Sequence, residues 1–170
     1  MARPQANESA PYYQKYIMLA EGDSVMELVN KYAFDIQEFY NNLPESKADF
    51  AYAENKWTVK QVLQHLADAE RVFAYRALRI SRGDITPLAS FEENAYVENG
   101  FAEERSLSSL KQEFNSVRAA TDIFLLALNE DQINRTGTAS NSTVSVNALA
   151  YIIYGHLLHH RNILQERYGV

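Results

Sequence analysis

The chemistry this chain can do starts with its four histidines. Three of them, His156, His159 and His160, sit in one stretch from Leu149 to Tyr168 that has the length and pattern of a single helix. His156 and His160 are spaced i, i+4. An α-helix turns once in ~3.6 residues, so side chains so spaced share a face about one turn apart. Two imidazoles in that relation can hold one cation across about 6 Å of helix axis, at ~1.5 Å per residue. His159 is turned ~100° from His160 and points elsewhere. The fourth histidine, His65, lies far upstream in another helical stretch, beside Leu63 and Leu66. A third imidazole from a second helix is what a metal site in a helix bundle needs. The plainer reading is a set of surface or hydrogen-bonded histidines, and spacing alone leaves both open.

The donor types narrow the ion. Cysteine is absent, which excludes disulfides, thiolate zinc sites and a cysteine nucleophile. Three imidazoles suit Zn²⁺, Ni²⁺, Fe²⁺ or Cu²⁺ and not the oxygen-seeking Mg²⁺ or Ca²⁺. Asp68 follows His65 by three residues and shares its face. It is the candidate catalytic residue, as a general base or as an acceptor that orients an imidazole; direct ligation is the alternative. Glu70 points away from Asp68 and reads as a solvated or ion-paired side chain, with Arg71 and Arg76 as partners. Arg76 reads either as a holder of an anionic substrate group or as half of an inter-helix ion pair.

Four long amphipathic helices must position these groups. Apolar residues recur at helical spacing from Met26 to Tyr40, Val59 to Ile80, Leu107 to Leu128 and through the histidine stretch. Ser24 with Glu27, and Thr58 with Gln61, are capping-box signatures, and Ser145 is the N-cap candidate for the last helix. The expected spans are 25–42, 58–82, 106–129 and 146–167, with a short lead-in helix over Tyr12–Met18. Residues 1–11 read as a polar tail. Residues 84–105 form a connection too long for an ordinary loop, and in a bundle it is the crossover that runs the length of the molecule. Thr143 to Val146 has strand character but no evident partner. The fold class is therefore all-α: an antiparallel four-helix bundle with one long crossover, in one domain over residues 1–170.

Composition excludes several function classes. The net charge is −6 and the pI is near 5.2. A nucleic-acid reader carries a basic face, and no Lys/Arg cluster is present, so no nucleic-acid partner is expected. The start of the chain lacks the apolar run of a signal peptide, and the longest apolar run, near Ala148 to Tyr154, is far too short to span a membrane. The cysteine-free chain suits a reducing cytoplasm. Phosphate-cradling glycine loops, nucleophile elbows and dinucleotide fingerprints are absent.

The pattern resembles the DinB-like superfamily, which includes YfiT-type metal-dependent hydrolases. The resemblance rests on the Trp57-Thr58 helix start, the H-x-x-D-x-E run of His65, Asp68 and Glu70, and the H-x-x-H-H run of His156, His159 and His160. It covers roughly residues 24–169. It implies a four-helix bundle with a long crossover. It implies a divalent metal, nickel or zinc, held by His65, His156 and His160, with His159 as the extra histidine that is not a ligand. It implies a homodimer and a small-molecule substrate. Relatives act as S-transferases or isomerases that use an external low-molecular-weight thiol, such as bacillithiol or mycothiol, or are called hydrolases. A metal with an open position suits either chemistry. The alternative is a non-catalytic metal-binding or small-molecule-binding stress-response protein.

Overall fold

A computed structural model describes residues 2–170. The elements in chain order are α1 (Gln14–Leu19), α2 (Val25–Asn41), α3 (Val59–Ser81), α4 (Glu93–Asn99), α5 (Leu107–Leu126), α6 (Glu130–Ile133), strands β1 (Thr136–Ala139) and β2 (Ser142–Ser145), and α7 (Val146–Ile163). A single π turn, Leu164–Tyr168, closes the chain before Gly169 adopts φ +68°. The four long helices start where expected because their caps form. Ser24, Thr58, Ser106 and Ser145 each accept a backbone N–H from the first turn. Thr58 and Gln61 make the full reciprocal box. Glu27 instead reaches back one residue further, accepting from Asp23 N at 2.9 Å.

The long helices meet as α2/α5, α3/α5, α3/α7 and α2/α7. Their directions differ from an all-antiparallel bundle. Tyr151 near the start of α7 donates to Gly22 O just before α2, and Tyr40 near the end of α2 donates to Leu157 O, each at 2.7 Å. So α2 and α7 run the same way. Likewise α3 and α5 are parallel neighbours: Arg71 pairs with Glu113 early in α5, and Arg82 lies over the Phe124 ring late in it. A parallel pair needs a return connection, and residues 84–106 supply it by running back along α3. Arg79 pairs with Asp84, Arg76 donates to Ala89 O at 2.7 Å, Gln64 to Gly100 O at 2.9 Å and Lys60 to Glu103 O at 3.2 Å. The helix directions and this return segment together differ from a simple up-and-down arrangement.

Helix α7 is the centre of the core. Every residue from Val146 to Leu158 is buried. It is apolar nearly all round, and such a helix must be covered all round. Coverage comes from α2 and α3 and, on the remaining side, from α1. Each fully buried Leu or Ile contributes roughly 1.5–3 kcal/mol of transfer free energy.

One further expectation is corrected. Thr143 does have a strand partner: β1 and β2 pair antiparallel, with Thr136 opposite Ser145 and Ala139 opposite Ser142. The turn residues Ser140 and Asn141 both take positive φ, +51° and +61°, as a two-residue hairpin turn requires. Ser-Asn is a weaker signal for that turn than Asn-Gly, so the hairpin is hard to see in the sequence. Residues 2–11 are polar in composition yet docked. Arg3 donates to Ala20 O and Ile17 O at 2.7 and 2.8 Å, and Ser145 Oγ donates to Glu8 at 2.6 Å. Among the described residues, no helix is long and apolar enough to cross a membrane.

Candidate metal centre

Helices α3 and α7 run antiparallel, which brings the second turn of α3 beside the last third of α7. His65, His156 and His160 meet there, each offering one ring nitrogen within 4.8 Å of those of the other two. His65 Nε2 and His156 Nε2 are 3.1 Å apart. Two nitrogens ~2.1 Å from one ion and ~90–110° apart about it would be separated by roughly 3.0–3.4 Å. His65 and His156 are buried, and His160 is partly covered. His159 does not join them; its ring stands edge-on to Tyr16 at 5.3 Å.

Burial sets the protonation state. It pulls the His65 imidazole down to about 4, and pulls His156 and His160 well below the usual 6.5. The positive charge each neighbour would carry acts in the same direction. All three rings are therefore neutral near pH 7, which is the form that ligates a metal. His160 Nδ1 is buried with no hydrogen-bond partner. A His65–His156 hydrogen bond would explain two of the rings but leaves this nitrogen unsatisfied. Three neutral imidazoles with an orphaned nitrogen fit a divalent ion, and His65, His156 and His160 are the residues that would hold it.

Asp68 is placed elsewhere. Its Oδ1 lies 3.3 Å from Arg71 Nη1, and that guanidinium also lies 2.6 Å from Glu113 Oε1. The Asp68 carboxyl is pushed up by burial, with Arg71 opposing. It belongs to a charged cluster between α3 and α5 and stands outside the three-histidine group. Asp68 lies three residues from His65 along α3, and the Arg71 beside it pairs with Glu113 of α5. Glu70 is not solvated. It is buried, its Oε1 lies 2.8 Å from Arg118 Nη1, and Arg118 also pairs with Asp122, which accepts from Tyr154 OH. Arg76 forms no ion pair among the described residues. It donates to Ala89 O and to Ser140 Oγ, and so fastens the crossover and the hairpin turn to α3.

Several residues around the histidines were not assigned to the site from the sequence. Trp57, next to the α3 cap, packs at a tilt against His65 with centroids 4.7 Å apart. Tyr16 stands edge-on to His156 at 5.4 Å, and Phe73 does so at 5.9 Å. A cavity of about 240 Å³ opens onto His65 and His156 between Tyr16, Phe73 and the crossover residues Phe91, Glu92 and Glu93. A second, of about 200 Å³, reaches His160 beside Trp57, Lys56 and Asn94. A larger cavity, about 520 Å³ between α3 and α5, is an apolar groove that touches none of the histidines. One signal was available: Gly155, beside His156 in an otherwise unbroken helix, marks a close backbone approach.

The family model of the DinB superfamily matches residues 35–164. The chain belongs to that superfamily. Solved structures agree in fold. YfiT from Bacillus subtilis, described as "a probable metal-dependent hydrolase with an unusual four-helix bundle topology", superposes with a TM-score of 0.71 at 20% identity, over 98% of this chain and 93% of that one. A mycothiol-dependent maleylpyruvate isomerase superposes with a TM-score of 0.66 at 12% identity, over 88% of this chain. This chain spans 59% of the isomerase's length. Among curated proteins, none matches it.

Proposed function

We propose that this member of the DinB superfamily is a divalent-metal-dependent enzyme acting on a small molecule, with His65, His156 and His160 holding the ion. The observation that carries the reading is the convergence of three neutral imidazoles from two helices, each offering a ring nitrogen within 4.8 Å of the others, beside a buried His160 nitrogen that has no hydrogen-bond partner. Nickel or zinc suits that donor set. A divalent ion held there would supply Lewis acidity and would lower the pKa of a water or thiol beside it. The protein's own part is to orient and to exclude water. Trp57, Tyr16 and Phe73 wall the imidazoles, and the crossover closes the remaining side with Phe91 and Glu93.

Both hydrolysis and transfer to an external low-molecular-weight thiol are consistent with this centre. Any thiol must come from outside, because the chain has no cysteine. A cytoplasmic setting accords with that composition. A two-fold homodimer belongs to the same reading, supported by the apolar α3–α5 groove with Tyr75 and Leu78 exposed beside it, and by Phe34, which is 73% exposed on α2.

Metal analysis of the purified protein tests the core of the proposal, with about one ion per chain expected. After cobalt substitution, a change in the visible spectrum on adding azide or a thiol is expected, because a catalytic centre keeps a position open. A bound metal that no added ligand perturbs would instead favour a non-catalytic metal-binding protein. Light scattering gives the assembly state.

A further inference from the structure

The cavity beside His65 and His156 has a wall chemistry of its own. Five aromatic rings line it: Tyr12, Tyr13 and Tyr16 from the N-terminal segment, Phe73 from α3 and Phe91 from the crossover. They form a continuous wall. Tyr12 and Tyr13 are 5.2 Å apart, Tyr13 and Phe73 6.0 Å, and Phe73 and Phe91 6.5 Å. The charged residues among its lining are Glu92 and Glu93, with no lysine or arginine. Glu92 is engaged as the cap of α4, accepting from Ala95 N at 2.9 Å. Glu93 is exposed and makes no ion pair among the described residues.

The chain's own cations show what these rings attract. Lys15 Nζ lies 4.3 Å from the Tyr12 ring centroid and 4.8 Å from that of Tyr16. The Arg76 guanidinium lies 5.9 Å from both Phe73 and Phe91. Arg76 is pinned by two hydrogen bonds and stays. Lys15 is exposed and has no carboxylate partner, so it is free to leave. Ring faces carry negative quadrupole density, so they hold ammonium groups and gain nothing from an anion. A carboxylate at the mouth adds to the same preference. At about 240 Å³ the space is below the range for a drug-sized ligand.

We propose that the molecule taken up beside His65 and His156 carries a cationic ammonium head, seated between the aromatic wall and Glu93. This rests on the reading of the histidines as the reactive centre, toward which the other end of the molecule would project. The selectivity itself is a property of the cavity and does not need a metal.

Calorimetric titration with choline and with its uncharged isostere 3,3-dimethylbutan-1-ol tests this, on the metal-loaded protein and on protein stripped with a chelator. The expected result in both forms is choline binding at least tenfold tighter than the alcohol. Glu93→Gln should weaken choline about three- to tenfold and leave the alcohol unchanged. Lys15→Ala should tighten choline by removing the competing cation. Equal affinities, preference for 3,3-dimethylbutanoate, no effect of Glu93→Gln, or no binding of choline at millimolar concentration would each overturn the proposal. Because the stripped protein is measured separately, failure of the metal reading shows in metal content and failure of this one shows in the titrations.

Discussion

Gly155 faces the backbone of Tyr16 so closely that a Cβ at position 155 would lie 1.9 Å from Tyr16 O. The contact seats α1 on α7 and brings the Tyr16 ring against both His156 and His159. Helix propensity alone favours alanine over glycine by about 1 kcal/mol inside a helix. The clash decides the sign here, because the atom met is backbone and cannot swing away.

Gly155→Ala is therefore expected to destabilise the protein by roughly 1–3 kcal/mol, the usual cost of overpacking. Urea denaturation reads it. The same variant should expose the Tyr16 region to limited proteolysis before the rest of the chain.

Single changes of His65, His156 or His160 to Ala should each sharply lower metal content. His159→Ala should leave it near the wild-type level, since that ring packs on Tyr16. Asp68→Asn should also keep the metal and shift stability by no more than about 1 kcal/mol, as expected for a partly exposed ion pair. Elemental analysis of the five variants separates the assignments. Loss of metal in His159→Ala or Asp68→Asn would mean that the ligand set is wrong.

The metal-free protein should lose stability as the pH falls from 6.5. His65 takes a proton near 6.5 in the unfolded chain but only near about 4 when folded. In that window the unfolded state binds the extra proton, so acidification favours unfolding. At ~1.36 kcal/mol per unit, the full window is worth on the order of 3 kcal/mol for His65. Buried Glu70, whose carboxyl is raised, acts in the opposite direction. Comparing wild type with His65→Gln in urea melts at pH 7.5 and 5 isolates the histidine contribution. The variant's pH slope should be the shallower of the two.

Arg118 is fully buried between Glu70 and Asp122, and its guanidinium lies 4.8 Å from the Tyr154 ring. Removing it strands two carboxylates in the core. Arg118→Met is expected to cost about 3–5 kcal/mol. Adding Glu70→Gln and Asp122→Asn to that variant should recover part of the loss. If the single variant melts like wild type, the cluster is solvated and not a core element.

Local signals carried most of the secondary structure and part of the site. Periodicity and caps are properties of adjacent residues, so the long helices and their starts at Ser24, Thr58, Ser106 and Ser145 could be read directly from the chain. The i, i+4 relation of His156 and His160 is likewise local, and it separated them from His159 before any fold was known. Other features depend on which helix covers which face, and that is settled only when the chain closes on itself. The parallel pairing of α3 with α5 put Glu113 and Arg71 beside Asp68, and Arg118 beside Glu70, although nothing near residues 68–70 in the sequence points to residues 113–118. The same closure laid the crossover along α3 and drew the polar N-terminal segment over α7. The aromatic wall next to His65 and His156 is thus built from residues about 50 to 140 positions away from one or other of them in the chain, and long-range packing of that kind leaves no periodic trace.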